Sequence, residues 1–155
     1  MRLTSQLIVL TSFLLIACDP GFSFDPDDWD SHHQDGYDWK KQIDKIEIAV
    51  ASMGGVIGDS YVGLSLQLSN QGDELLILEK SELITGGKRE FEASLPGSGD
   101  MRWRSVEANR SERLELSWYF GRSAIDVLGE RFKVLLHLRR GEQVQPVEIH
   151  YSRVK

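Results

Sequence analysis

Few residues in this chain belong to types that perform chemistry, and Cys18 is the only cysteine among its 155 residues. No intrachain disulfide can form, so this single thiol needs another explanation. The four histidines are an adjacent pair, His32 and His33, and two separate residues, His137 and His150. The sequence contains no GxSxG nucleophile motif, no HExxH zinc motif and no glycine-rich phosphate loop. We therefore expect a protein without catalytic activity and without a bound cofactor.

The adjacent histidines lie in an acidic segment, with Asp30 and Asp35 closest to them among several aspartates. Imidazole and carboxylate groups together are ligands for hard or borderline metal ions. A calcium-binding EF-hand loop would need acidic groups at alternate positions, a glycine at position six and a glutamate at position twelve. The spacing here does not match, so we predict no specific metal site. If a metal does bind, His32, His33, Asp30 and Asp35 are the candidate ligands.

The other two histidines, His137 and His150, occupy polar-facing positions of two neighbouring predicted strands. Side chains on the same face of adjacent strands can approach each other. The two could lie close together on the outer face of a sheet, but we interpret them as two exposed strand histidines without a shared role.

A second polar group combines four arginines and a tryptophan: Arg102, Trp103, Arg104, Arg110 and Arg113. Glutamates at positions 107, 112 and 115 are interleaved with them. A nucleic-acid interface is expected to be a continuous basic patch, so the mixed charge here indicates a solvated sheet edge. We predict no nucleic-acid binding.

The chain begins with the pattern of a secretory signal. Arg2 supplies a positive charge, and the residues from 7 to 17 are apolar except Thr11 and Ser12. This run is shorter than the roughly 20 residues that a membrane-spanning helix needs. A charged start, a short apolar stretch and small residues at its end predict a signal peptide over residues 1–17.

The sequence Leu-Ile-Ala-Cys at residues 15–18 resembles the lipobox of bacterial lipoproteins. The resemblance implies cleavage after Ala17, a diacylglyceryl group on the Cys18 thiol and acylation of the new amino terminus. Two acyl chains are enough for a stable membrane anchor. Asp19 resembles the inner-membrane retention signal of enterobacterial lipoproteins, although Pro20 follows it. We expect a lipid-anchored protein of the bacterial cell envelope, with the inner membrane facing the periplasm favoured over the outer membrane.

Residues 18–41 follow as an acidic segment in which residues 19–41 contain seven aspartates and two lysines. Acidic runs punctuated by proline and glycine are typical of disordered chain, so we predict a disordered tether with a span of roughly 25–30 Å. The segment is nevertheless rich in aromatic side chains: Phe22, Phe24, Trp29, Tyr37 and Trp39. Such rings can dock onto the domain, enter a lipid interface or contact a partner. We select Trp29, Tyr37 and Trp39 as candidate partner contacts.

Residues 42–155 show the period-two alternation of β-strands. In residues 61–70, Val62, Leu64, Leu66 and Leu68 share one face. Four other segments, residues 45–52, 113–120, 131–139 and 147–151, alternate in the same way. We predict one antiparallel β-sandwich of about seven or eight strands, with a single helical turn near residues 123–129 and an edge or bulge at Pro146.

The alternating segments resemble immunoglobulin-like domains of exported bacterial proteins. They include Leu-Ser-Leu-Gln-Leu at residues 64–68 and Leu-Glu-Leu-Ser-Trp at residues 114–118. We expect a non-catalytic binding or envelope-assembly module with a protein partner in the cell envelope. The alternative is a small periplasmic hydrolase or a metal-binding, sensing lipoprotein.

Overall fold

The computed structural model describes residues 21–34, 36–86, 90–93 and 104–155, and every structural statement below concerns those residues. They form twelve strands and one short helix. In chain order the elements are β1 (Gly21–Pro26), β2 (Asp30–Gln34), β3 (Tyr37–Ile43), β4 (Ile46–Val50), β5 (Met53–Val56), β6 (Tyr61–Asn70), β7 (Leu76–Thr85), β8 (Glu90–Glu92), β9 (Ser105–Val106), β10 (Arg110–Tyr119), α1 (Ala124–Leu128), β11 (Arg131–Arg140) and β12 (Gln143–Arg153).

The first half of the sheet is built around β6 and β10, which pair along their whole length with Leu66 opposite Leu114. Every second residue of β6 from Val62 to Leu68 is fully buried, as the alternating sequence predicts. β4 pairs with β6 and places Ile48 opposite Leu68. These β-branched and leucine side chains pack on one face of the pleated backbone. Such a half-buried pleated surface is the environment in which β-branched residues favour strands.

The second half of the sheet contains β7, β11 and β12 in antiparallel order. A tight turn at Gly141, with φ of 57°, joins β11 to β12 as a hairpin. In the described residues, the ladder between β1 and β12 covers only positions 151–153 of β12. Pro146 therefore lies where β12 is an edge strand, which confirms the prediction made from its missing N–H.

Hydrogen bonds through β1 and β5 connect the two halves, so that the described strands form one antiparallel sheet of twelve strands. The inner faces of both halves contribute to a single hydrophobic cluster. Contacts also cross from one half to the other, since the Phe24 and Phe132 ring centroids are 4.9 Å apart and Arg140 donates to Asn70. The all-β antiparallel class is confirmed, with twelve strands among the described residues instead of seven or eight. The immunoglobulin-like arrangement stays a prediction.

The expected disordered tether is the main point at which the structure differs from the sequence-based expectation. β1, β2 and most of β3 lie inside residues 18–41, and β3 continues to Ile43. No domain boundary therefore falls at residue 42. The physical reason is an alternation that the average composition conceals. Phe22 and Phe24 enter the core, while Asp25, the residue after Phe24, accepts a hydrogen bond from the Ser52 hydroxyl at 2.6 Å.

The helical turn predicted near residues 123–129 is confirmed by α1. Among the described residues, no helix has the length and apolar character needed to cross a membrane. The expectations for residues 1–20, which include Cys18 and Asp19, lie outside the described residues, as do Asp35, Arg102 and Trp103.

Candidate contact surfaces

On the outer face of β7, β11 and β12, besides the Arg139–Glu79 pair, two groups of ion pairs each share one carboxylate. Glu82 lies 2.6 Å from the Lys80 ammonium and 2.9 Å from His137 Nε2. Glu148 lies 2.7 Å from the Lys133 ammonium and 3.1 Å from His150 Nε2. Each group therefore places one carboxylate between a lysine and a histidine.

The two histidines of this face lie on the same side of the sheet but are not neighbours. His137 stands opposite Pro146 on β12, and His150 lies four residues further along that strand. At a rise of about 3.4 Å per residue, this spacing separates the histidines by roughly 13 Å. The structure therefore does not bring the two histidines together, because the strand register separates them, and each contacts its own glutamate.

Among the described residues, each shifted pKa lies further from neutral pH than the ordinary value of its group. Hydrogen bonds from Lys80 and then His137 lower the pKa of Glu82, and a hydrogen bond from Lys133 lowers the pKa of Glu148. The hydrogen bond to Glu82 raises the pKa of Lys80. Burial raises the pKa of two tyrosines, Tyr37 and Tyr151. A general acid or base works best with a pKa near the working pH, and these shifts move the five groups further from it.

A shallow concavity of about 220 Å³ opens on the same face, near the paired ends of β7, β11 and β12. Ile84 and Phe132 contribute to its wall, together with Arg131, Lys133 and His150. Two of its three basic groups, Lys133 and His150, already contact Glu148. The concavity is therefore an apolar depression whose positive charge is partly neutralised.

The aromatic residues selected as partner contacts lie against the domain itself. Trp29 is buried, and the Lys41 ammonium lies 5.8 Å from its ring centroid. Tyr37 is also buried, with the Arg113 guanidinium 5.4 Å from its ring. Trp39 is half-buried and packs against the core. These rings could have docked onto the domain, entered a lipid interface or contacted a partner. Their positions correspond to docking onto the domain.

The residues that the structure describes do not bring the candidate metal ligands together into a site. The backbone of His32 and His33 lies in β2, their side chains are outside the described part of the chain, and Asp30 is exposed. Among the described residues, no group of three or more histidine, cysteine, aspartate or glutamate side chains could hold a metal ion.

The arginines of the 102–113 group have separate partners where they are described. Arg113 contacts Tyr37, and Arg104 donates to the Glu79 carbonyl at 3.4 Å. Arg110 is exposed at the start of β10, opposite Asn70. These three side chains therefore contribute to different parts of the surface.

One surface was missed by the sequence analysis. Tyr61 and Tyr119 stand opposite each other on β6 and β10, with ring centroids 5.9 Å apart. They are 49% and 65% exposed, and Val56 and Ile57 in the adjoining segment are exposed as well. The alternating pattern does place both tyrosines on the outer face. Two tyrosines at outward positions near strand ends are the sequence signal that would have indicated this surface.

No protein-family model and no curated protein matches this chain. Among solved structures, the chain is similar to a functionally unknown protein from Listeria monocytogenes EGD-e, with 11% sequence identity and a TM-score of 0.52. That match covers 83% of this chain and 87% of the Listeria chain. The GAE domain of yeast GGA1 matches 74% of this chain and 96% of its own at 11% identity, with a TM-score of 0.37. At 11% identity, the similarity to the Listeria protein shows only that the two chains share a fold.

Proposed function

We propose that this chain is a bacterial lipoprotein of the cell envelope whose all-β domain acts by contact and not by catalysis. The observation that carries the proposal is the Leu-Ile-Ala-Cys sequence at residues 15–18. It follows an apolar run directly and precedes the first strand by only two residues, Asp19 and Pro20. Because Asp19 follows the lipidated cysteine, the inner membrane facing the periplasm is the favoured location, with the outer membrane as the alternative.

Replacing Cys18 should abolish lipidation, because the thiol is the acceptor of the diacylglyceryl group. We expect the full chain, expressed in a bacterium with labelled palmitate, to carry label and to sediment with the membranes. Cys18→Ser should lose the label and leave the membrane-anchored fraction. Thr4→Ser is the matched control, since it leaves the apolar run and residues 15–18 intact. Equal label and equal membrane recovery for Cys18→Ser and the unchanged chain would contradict the proposal.

The contact role is supported by the chemistry of the outer faces. The five shifted groups keep the charge state that they already have at neutral pH, which suits ion pairs and buried hydroxyls more than proton transfer. The partner that we propose is a protein of the cell envelope. Turnover of a peptidoglycan, phospholipid or peptide substrate by the purified full-length protein would contradict the contact role without affecting the proposed lipid anchor.

A further inference from the structure

Exposed apolar side chains are concentrated at one end of the domain. Seven large hydrophobic residues are exposed among the described residues, and five of them lie near the start of β1: Val56, Ile57, Tyr61, Tyr119 and Val154. Gly21 of β1 stands opposite Val56 of β5, and the Val154 N–H donates to the carbonyl of Ser23 in β1. The other two, Leu75 and Val144, lie near the opposite end of the sheet.

Pairing of neighbouring strands makes this cluster continuous. Gly54 of β5 stands opposite Gly63 of β6. Val56 and Tyr61 each lie two residues beyond this pair, towards the turn that joins the two strands, so they share the same end of the hairpin. Tyr61 in turn stands opposite Tyr119. With strands about 4.8 Å apart, the row from β1 to β10 is roughly 15 Å wide. We call this surface, with Ile57 at its margin, the tyrosine end.

The loop that contributes to the tyrosine end is held in place by backbone hydrogen bonds. The Phe120 N–H donates to the carbonyl of Ser60 at 2.8 Å, and the Ala124 N–H donates to the carbonyl of Asp59 at 2.7 Å. The Asp59 carboxylate accepts a hydrogen bond from the Val56 N–H at 3.1 Å. The apolar residues are therefore presented by an ordered surface.

The path of the chain brings this surface close to the proposed anchor. Two residues separate Cys18 from Gly21, and three residue steps span at most about 10 Å. The lipid-bearing cysteine is thus within about 10 Å of the strand that borders Val56. The headgroup layer on one side of a bilayer is only about 5–7 Å thick, so the anchor leaves little space between the tyrosine end and the lipid.

We propose that the tyrosine end lies in the headgroup region of the membrane that holds Cys18, with Ile57 and the two tyrosines in contact with lipid. The inference rests on the lipid anchor of the proposed function. Tyrosine suits this position because its ring is apolar and its hydroxyl can stay hydrated. A protein partner fits less well, because even a single helix is about 10 Å across and would have to enter the same narrow space.

The charges around the tyrosine end are mixed. Arg122 and Asp126 are exposed near the end of β10, and Lys155, next to Val154, is exposed beside β1. The contact should therefore be apolar and interfacial, without a requirement for anionic lipid.

The test uses single cysteines that carry an environment-sensitive fluorophore. In the lipidated full-length protein the Cys18 thiol is blocked, so Ile57→Cys or Tyr119→Cys supplies the only free thiol. Val144→Cys is the matched control, because Val144 and Ile57 are both 47% exposed and Val144 lies at the opposite end. On phosphatidylcholine vesicles, we expect a blue shift and quenching by brominated acyl chains for the probes at 57 and 119. The probe at 144 should show neither change.

A second arm separates this inference from the lipid anchor. A chain of residues 19–155, which contains every described strand and no native cysteine, is attached through an N-terminal histidine tag to vesicles with nickel-chelating lipid. The blue shift and quenching at 57 and 119 should persist there, whether or not Cys18 is lipidated in cells. Equal signals at 57, 119 and 144 would overturn the inference. So would a blue shift that appears without vesicles and grows with protein concentration, since it would assign the tyrosine end to a second copy of the chain.

Discussion

At the scale of single residues, Asn70 at the end of β6 is a buried polar side chain that needs several hydrogen-bond partners. It is 1% exposed, and its amide donates to the carbonyls of Glu74 at 2.7 Å and Val106 at 3.0 Å. Its carbonyl oxygen accepts from the Gly72 N–H and from Arg140, each at 3.1 Å. A buried polar side chain is stabilising only when its hydrogen bonds are made, and Asn70 makes bonds with both of its polar atoms.

Replacing Asn70 with alanine should lower the free energy of unfolding by about 3 kcal/mol, because buried carbonyl groups and a guanidinium lose their partner. Chemical denaturation of the two proteins in urea measures the difference. Ser69→Ala is the control, since Ser69 lies next in the strand, on the outer face, and its hydroxyl accepts a hydrogen bond from the exposed Ser111 hydroxyl at 2.8 Å. A loss below about 1 kcal/mol for Asn70→Ala would show that this network adds little to stability.

Tyr151 shows the opposite situation at a single residue. The side chain is fully buried and stacks on Phe132 with ring centroids 5.3 Å apart. Within the described part of the chain, its hydroxyl has no hydrogen-bond partner. Burial raises the pKa of the phenol, with a further contribution from Asp25, so the hydroxyl stays protonated.

At the scale of elements, β1 determines how the two halves of the sheet are joined. It pairs with β5 on one side and with β12 on the other. Phe24 is fully buried between these partners, and its ring contacts Phe22 and Phe132. Removal of one such phenylalanine from a core usually costs about 3–5 kcal/mol. That amount is a large fraction of the stability of a small domain.

A chain that begins at residue 42 should therefore fail to fold cooperatively, since it lacks β1, β2 and most of β3. A chain of residues 19–155 should give a β-sheet circular dichroism spectrum and a single cooperative unfolding transition. Loss of β1 exposes Met53 and Tyr151, which are fully buried in the intact sheet. If both chains had the same spectrum and the same unfolding midpoint, residues 21–41 would be dispensable and the tether interpretation would be restored.

At the scale of the whole molecule, the ion pairs of the outer face make a contribution to stability that depends on pH. The folded pKa values of Glu82 and Glu148 lie below the ordinary value of 4.5. Their stabilisation is present above that pH and is lost as the pH falls through the folded pKa. The pKa of Lys80 lies above its ordinary value of 10.5, so its stabilisation is complete below that pH and is lost as the pH rises further.

Glu82→Gln should make the free energy of unfolding less dependent on pH below about 4.5, because glutamine cannot take up the proton that breaks these pairs. Urea unfolding midpoints measured from neutral to acidic pH provide the comparison. Glu142→Gln, at an exposed position in the turn between β11 and β12, is the control. If the unfolding midpoints of Glu82→Gln and of the unchanged protein fell with the same slope at acidic pH, the role assigned to Glu82 would be contradicted. Its neighbours Lys80, His137 and Glu92 face the same site and remain in both proteins.

The sequence by itself determined the all-β class and the central strands β4, β6, β10 and β11. In those segments the alternation of apolar and polar residues is long, and a period of two has only one structural interpretation. It also determined the inward faces, since Leu64, Leu116 and Val134 are all fully buried as their positions predict.

The tertiary structure alone decided the role of residues 21–41. Their apolar residues are spread over short strands separated by turns, so local pattern and composition favoured disorder. For β1 only long-range pairing, such as Phe24 with Arg153, provides a partner, whereas β2 and β3 pair with each other and β3 with the neighbouring β4. The tyrosine end arises in the same way: Gly21 stands opposite Val56 and Tyr61 opposite Tyr119, although the members of each pair are distant in sequence. Strand order and register depend on loop closure and packing across the whole chain, which no local pattern in the sequence contains.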